Sequence, residues 1–196
     1  MNRVQFFGIS CLVGGLLFTA LNGSELVGIT QLPSSLSFGV GVVLLLGLFG
    51  GPLGLLAVRA AGKDWTGRVG MAGAIITLLG LFAYLVGQVV TTFIPDLGVF
   101  YLLGAMLSGL GMFVFGIPVV VARRLESWRR FAPLLVGLYY LVMIPIQIVF
   151  FIGPNGTPSG LLLAGWGLTW ALLGVAIYSA SRREQGVAPV LAHERR

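Results

Sequence analysis

The sequence predicts an all-α integral membrane bundle of six transmembrane helices, and three observations carry that prediction. First, its 196 residues are 57% hydrophobic and only 9% charged, where soluble domains carry roughly 25% charged residues. Second, the chain divides into six apolar stretches, about 4–21, 36–58, 69–93, 97–121, 131–152 and 159–180, none containing Asp, Glu, Lys, Arg or His. At about 1.5 Å per residue, Leu97–Val121 is long enough to cross a hydrocarbon core of about 30 Å, and the others fall within the range of about 17–25 residues that spans one. Third, every basic residue falls in alternate connections, so the charge sits on one side of the membrane. A water-soluble fold of this length could not hide so much apolar surface, because a large share of any small protein stays exposed.

The first span begins just after Arg3 and contains Cys11, the only cysteine, so an intrachain disulfide is excluded and the thiol reads as a small buried hydrophobe. Residues 1–20 imitate a secretory signal, with a basic start, an apolar core and small residues. They are read here as a retained span. The connection Asn22–Ser35 is the longest on its side and carries apolar Leu26, Val27 and Ile29. It either lies on the bilayer surface or folds back over the bundle. In the second span, Gly39, Gly41, Gly47, Gly50, Gly51 and Gly54 make a smooth rod, and Pro52 predicts a bend. The fourth span, Leu97–Val121, places Gly104, Gly111 and Pro118 seven apart on one face and ends in Arg123, Arg124, Arg129 and Arg130.

One side of the membrane receives Arg3, the group Arg59, Lys63 and Arg68, those four arginines, and Arg182, Arg183, Arg195 and Arg196 in the tail. The other side receives Asn22–Ser35, Ile94–Asp96 and Gly153–Pro158, with only Glu25 and Asp96 charged. The positive-inside rule therefore puts both termini in the cytoplasm, in what reads as a bacterial inner (plasma) membrane. In a soluble chain a formal charge of +6 and a pI near 10.3 would suggest nucleic acid. Clustered between apolar runs, this charge instead marks topology and attraction to anionic lipid headgroups. Trp65 and Trp128 stand beside the arginines as interface anchors, or form a docking patch with Arg68, Arg123, Arg124, Arg129 and Arg130. Asn22-Gly23-Ser24 and Asn155-Gly156-Thr157 match the glycosylation pattern, but Asn-Gly is also a favoured turn pair, the reading preferred here.

A shift of 65 sets Arg3-Val4, Gly8 and Gly15-Leu16 on Arg68-Val69, Gly73 and Gly80-Leu81. A shift of 64 sets Gly47, Gly54 and Arg59 against Gly111, Pro118 and Arg123, and one of 56 sets Gly104, Gly111 and Pro118 against Gly160, Gly167 and Gly174. These matches predict three tandem hairpins in one transmembrane domain, residues 1–181, at about 1–62, 63–127 and 128–181, followed by a short basic tail, 182–196. Seven residues are nearly two helical turns, so Gly47, Gly54, Gly104, Gly111, Gly160, Gly167 and Gly174 form strips where backbones can approach. Such strips serve packing within the chain, or a face for a second copy or a partner subunit.

The inventory of reactive groups is narrow. His193, the sole histidine, lies in the tail, and no span contains a lysine or carboxylate. Histidine-based metal or haem sites in the membrane, a retinal Schiff base and a charged proton relay are thereby excluded. Hydroxyls without an activating base make no nucleophile, so no enzyme, catalytic residue, metal or cofactor is expected. What remains is uncharged polarity. Gln88 and Gln147 each lie seven residues before a proline (Pro95, Pro154), with Tyr84, Tyr139 and Tyr140 nearby. They either hydrogen-bond between helices or line a pocket for a neutral or amphipathic molecule walled by Trp166 and Trp170.

Three hairpins, a proline outside each odd span (Pro33, Pro95, Pro154), and Pro95-Asp96-Leu97-Gly98-Val99-Phe100 leading into a glycine-rich helix ended by Arg123-Arg124 together resemble the HdeD-like family of small bacterial membrane proteins. That resemblance implies a repeated two-helix hairpin and an association with acid stress, and it implies no catalytic residue. In length and topology the chain also resembles the substrate-binding membrane subunit of energy-coupling-factor transporters. Two functional expectations follow: an accessory, assembly or stress-related membrane protein acting through helix packing with partners or lipids, or a small permease or solute-binding subunit.

Overall fold

A computed structural model describes residues 2–24, 34–61, 66–93, 99–123, 125, 127–152 and 156–193, with the backbone alone at 34–37, 61, 92, 99 and 182–193. Six helices are long and apolar enough to cross a membrane: Arg3–Gly23, Phe38–Ala60, Gly67–Thr91, Phe100–Ala122, Ser127–Ile152 and Gly160–Ser181. There is no strand among the described residues. The chain is an all-α polytopic membrane protein. Large apolar side chains such as Val43, Leu79, Phe82, Val149 and Phe150 are exposed around the bundle, which in water would be an aggregating surface and in lipid is the solvated one.

Local chemistry explains where each rod starts and bends. The first span opens with a capping box: the Gln5 N–H donates to Asn2 Oδ1 (2.8 Å) and the Asn2 N–H donates to Gln5 Oε1 (3.2 Å), satisfying amides that the first turn leaves orphaned. The second span is two helices, Ser34–Leu48 and Gly50–Ala61, interrupted at Phe49. The interruption lies one turn before Pro52, from which a bend is expected, because a proline ring collides with the carbonyl four residues back, here Leu48. In the fifth span, Ala132–Ile146 contains Pro145 and passes into a wider π-helical turn, Gln147–Ile152. The helix of the sixth span continues through the basic tail to His193.

The bundle closes into a ring. Neighbours in sequence pack together, and the first span also packs along the sixth, a pairing as intimate as that of the third with the fourth. The fifth and sixth spans, adjacent in sequence, touch far less. The sixth is the most enclosed rod, and the first and fifth are the least.

Glycine contacts show how the two tight pairs are made. A Cβ added to Gly15 would come within 3.0 Å of backbone atoms of Ala171 and Gly167, and one on Gly174 within 3.0 Å of backbone atoms of Leu12 and Gly8. A Cβ on Gly80 would meet the backbone of Ser108 and Gly104 as closely, and one on Gly111 that of Thr77 and Gly73. The pairs correspond residue for residue. Gly8, Leu12, Gly15 and Thr19 face the sixth span as Gly73, Thr77, Gly80 and Tyr84, 65 residues later, face the fourth. On the partner strips Gly104 and Gly111 correspond to Gly167 and Gly174, an offset of 63 and one heptad beyond the 56 that best aligns the sequence.

Candidate functional site

The polar residues of the spans fall into three separate groups. Where the third span ends and the fourth begins, Tyr101 donates its hydroxyl proton to Gln88 Oε1 (2.7 Å), and Thr91 bonds the Gly87 carbonyl (2.6 Å) and the Tyr101 oxygen (3.3 Å). The Tyr84 ring stands edge-on to Tyr101 at 5.2 Å. From the second span Gly41 lies against the Gln88 amide, which a Cβ would meet within 3.0 Å. This group ties three rods together at one end.

The second group pins the fifth span to the start of the sixth. Gln147 is buried, and both ends of its amide are engaged by one residue: Nε2 donates to the Ser159 carbonyl (3.1 Å) and Oε1 accepts from the Ser159 N–H (2.7 Å). Tyr139 crosses above Gly165 and donates to the Leu162 carbonyl (3.0 Å). Gln88 and Gln147, alike in their distance from a proline, therefore belong to different helix junctions.

The third group is the centre of the bundle. Phe18, Tyr140, Trp166 and Trp170 form a chain of rings with centroids 5.2–6.0 Å apart, contributed by the first, fifth and sixth spans. All four are buried. The Tyr140 hydroxyl and both indole N–H groups have no hydrogen-bond partner, although an unmade bond of this kind costs about 1–3 kcal/mol. Cys11 sits behind them, its thiol donating to the Trp170 carbonyl (3.2 Å). Of the seven residues that the sequence nominates for solute contact, Tyr140, Trp166 and Trp170 hold fully buried donors that no partner meets.

The glycines nominated for packing sit as follows. Gly47 lies on Gly14 and the Ser10 carbonyl, and Gly54 on Ile177 and Phe7. Gly104, Gly111, Gly167 and Gly174 belong to the two tight pairs, and Gly160 opens the sixth helix. At the basic end Trp65 and Arg124 lie outside the described residues. Arg68, Arg123 and Trp128 are exposed, Arg129 is half-buried, and Arg130 lies over the Phe131 ring at 4.7 Å. Arg123, just beyond the fourth helix, has φ 50°, a left-handed conformation that glycine usually supplies at a helix end. The chain keeps an arginine there despite a strain of about 1–2 kcal/mol.

One concavity was not anticipated from the sequence. A groove of about 490 Å³ opens to the bundle exterior between the first and second spans, floored by Gly14, Gly47 and Gly50 and walled by Phe6, Val13, Val43 and Leu46. It flanks the interruption at Phe49. The available signal was the crowding of Gly47, Gly50 and Gly51 around Pro52, though only the facing Gly14 makes that crowding a groove. Among the described residues no cluster of His, Cys, Asp or Glu could hold a metal. Comparison with protein-family models, curated proteins and solved structures finds no match.

Proposed function

We infer that the protein is a non-enzymatic accessory, assembly or stress-related membrane protein of HdeD-like kind. On this reading it acts through its outer surface on lipids or partner subunits, with both termini in the cytoplasm of a bacterial inner membrane. The observation that carries the reading is how the interior is used. The nominated glycines that face other rods at close range do so within the chain, and Gln88, Gln147 and Tyr139 are engaged with neighbouring helices. What the fold leaves open is a concave apolar face outside. The twelve basic residues on one side of six uncharged rods support the orientation. Extraction of a tagged chain in mild detergent followed by native mass spectrometry tests this reading. A stoichiometric companion subunit or retained lipid is expected, and a bare monodisperse monomer would overturn it.

A second reading, a solute-binding subunit for a neutral molecule, is favoured by one observation. Tyr140, Trp166 and Trp170 present three buried donors and no acceptor in use, which suits a ligand with carbonyl or ether oxygens and a flat apolar body. Its test is tryptophan emission in a Trp65→Phe, Trp128→Phe background, titrated with a small benzoquinone. Saturable quenching supports it, and quenching that only rises linearly removes it.

A further inference from the structure

We propose that the groove between the first and second spans holds one acyl chain of an anionic phospholipid, whose phosphate is met by Arg3. This rests on the reading of a bundle that works through its outer face.

Dimensions select the occupant. Along the first span the groove runs from Phe6 to Gly14, and along the second from Val43 to Leu53, which at 1.5 Å per residue is about 12–15 Å. That is about half of a 30 Å hydrocarbon core, the depth of a single leaflet. A partner helix crossing the membrane would need a track along the whole rod, whereas a lipid chain needs only this half. The walls are apolar and the floor is glycine backbone with Ser10 as its single polar side chain, so the groove offers dispersion contact along most of its length.

Charge fixes the class of lipid. Arg3, Phe7, Ser10 and Gly14 follow one another at spacings of four, three and four, so they share one stripe of the first helix. The exposed Arg3 therefore stands at the end of the groove, one turn beyond Phe6. It also belongs to the first turn of the helix, where the backbone dipole favours an anion. A phosphodiester with no compensating amine satisfies both features, and a zwitterionic headgroup satisfies them less well.

Native mass spectrometry of the detergent-extracted protein, titrated separately with phosphatidylglycerol and phosphatidylcholine of identical chains, tests the assignment. The first phosphatidylglycerol should bind about fivefold more tightly than phosphatidylcholine, the preference expected from one basic contact. Arg3→Gln should abolish that preference while leaving phosphatidylcholine binding unchanged. Val43→Trp, which fills the groove from an exposed position, should weaken the first equivalent of both lipids at least fivefold. Leu79→Trp, equally exposed on the third span, should change neither. Loss of binding in Leu79→Trp, unchanged binding in Val43→Trp, or a preference that survives Arg3→Gln would each overturn the proposal. A shift of Val43→Trp from dimer to monomer would also overturn it, by showing a second copy in the groove. Failure here leaves the co-purification of partner subunits untouched, so the two readings fail separately.

Discussion

Replacing Gly15 by alanine adds one methyl group to the first span, and the structure says where it goes. The new carbon would fall within 3.0 Å of the Ala171 nitrogen, the Ala171 Cα and the Gly167 carbonyl oxygen, all backbone. No side chain can swing aside, so the first and sixth rods must separate. Overpacking of this kind costs about 1–3 kcal/mol, offset by up to about 1 kcal/mol because alanine favours a helix over glycine. The net loss expected is about 1–2 kcal/mol. Gly80→Ala in the corresponding third–fourth pair meets Ser108 and Gly104 backbone in the same way and should cost as much. Gly39→Ala is the control, since its Cβ would find nothing within 4 Å, and it should be neutral or stabilising. Combining Gly15→Ala with Gly167→Ala should cost less than the sum, because the first methyl already opens the interface that the second would strain. The assay is reversible unfolding in mixed detergent, read by tryptophan emission. If Gly15→Ala and Gly80→Ala prove as stable as Gly39→Ala, backbone proximity is not what holds these pairs.

Gln147→Leu removes both bonds to Ser159 and leaves the part-buried Ser159 N–H without its partner, so unfolding should be easier by about 1–3 kcal/mol. Faster proteolysis at 153–158 would report the same loosening. Tyr101→Phe deprives Gln88 and Thr91 of a shared hydroxyl and should cost about 0.6–2 kcal/mol by the same unfolding assay. Trp170→Phe discards an indole N–H that bonds to nothing, so stability should hold within about 1.5 kcal/mol. Trp170→Ala should lose about 3–5 kcal/mol to the cavity left in the core. Arg123→Gly relieves the left-handed backbone at the end of the fourth helix and should raise stability by about 1 kcal/mol.

The rods were legible because a span is a one-dimensional property. An uncharged apolar run of sufficient length needs no knowledge of its neighbours, and the six expected ranges agree with the six helices to within a few residues. Pro52 likewise announced the break at Phe49, since the ring's collision with the Leu48 carbonyl is local. Partner choice was not local. The fifth span lies more against the fourth than against the sixth, because in lipid little hydrophobic force draws neighbours together, and small-residue strips decide. Gly8 and Gly15 match Gly167 and Gly174 in their seven-residue spacing, and an antiparallel comparison of those strips was the clue to the closing pair. Gln88 and Gln147 looked equivalent because each lies seven residues before a proline. Their separate duties depend on Tyr101 and Ser159, whose places follow only from the register of other helices. The uncommitted donors of Tyr140, Trp166 and Trp170 could not be foreseen at all, since an absent partner leaves no mark in a sequence.

Six rods crossing a bilayer with every cation on one face make a topology that labelling can test. Single cysteines at Ser24, Ser127 and Thr157, and one added after Arg196, in a Cys11→Ser background, can be challenged with a membrane-impermeant maleimide in intact and opened cells. Ser24→Cys and Thr157→Cys should label in intact cells, while Ser127→Cys and the C-terminal cysteine should label only after the membrane is opened. Labelling of Ser127→Cys from outside, or of the C-terminal cysteine together with Thr157→Cys in intact cells, would contradict it.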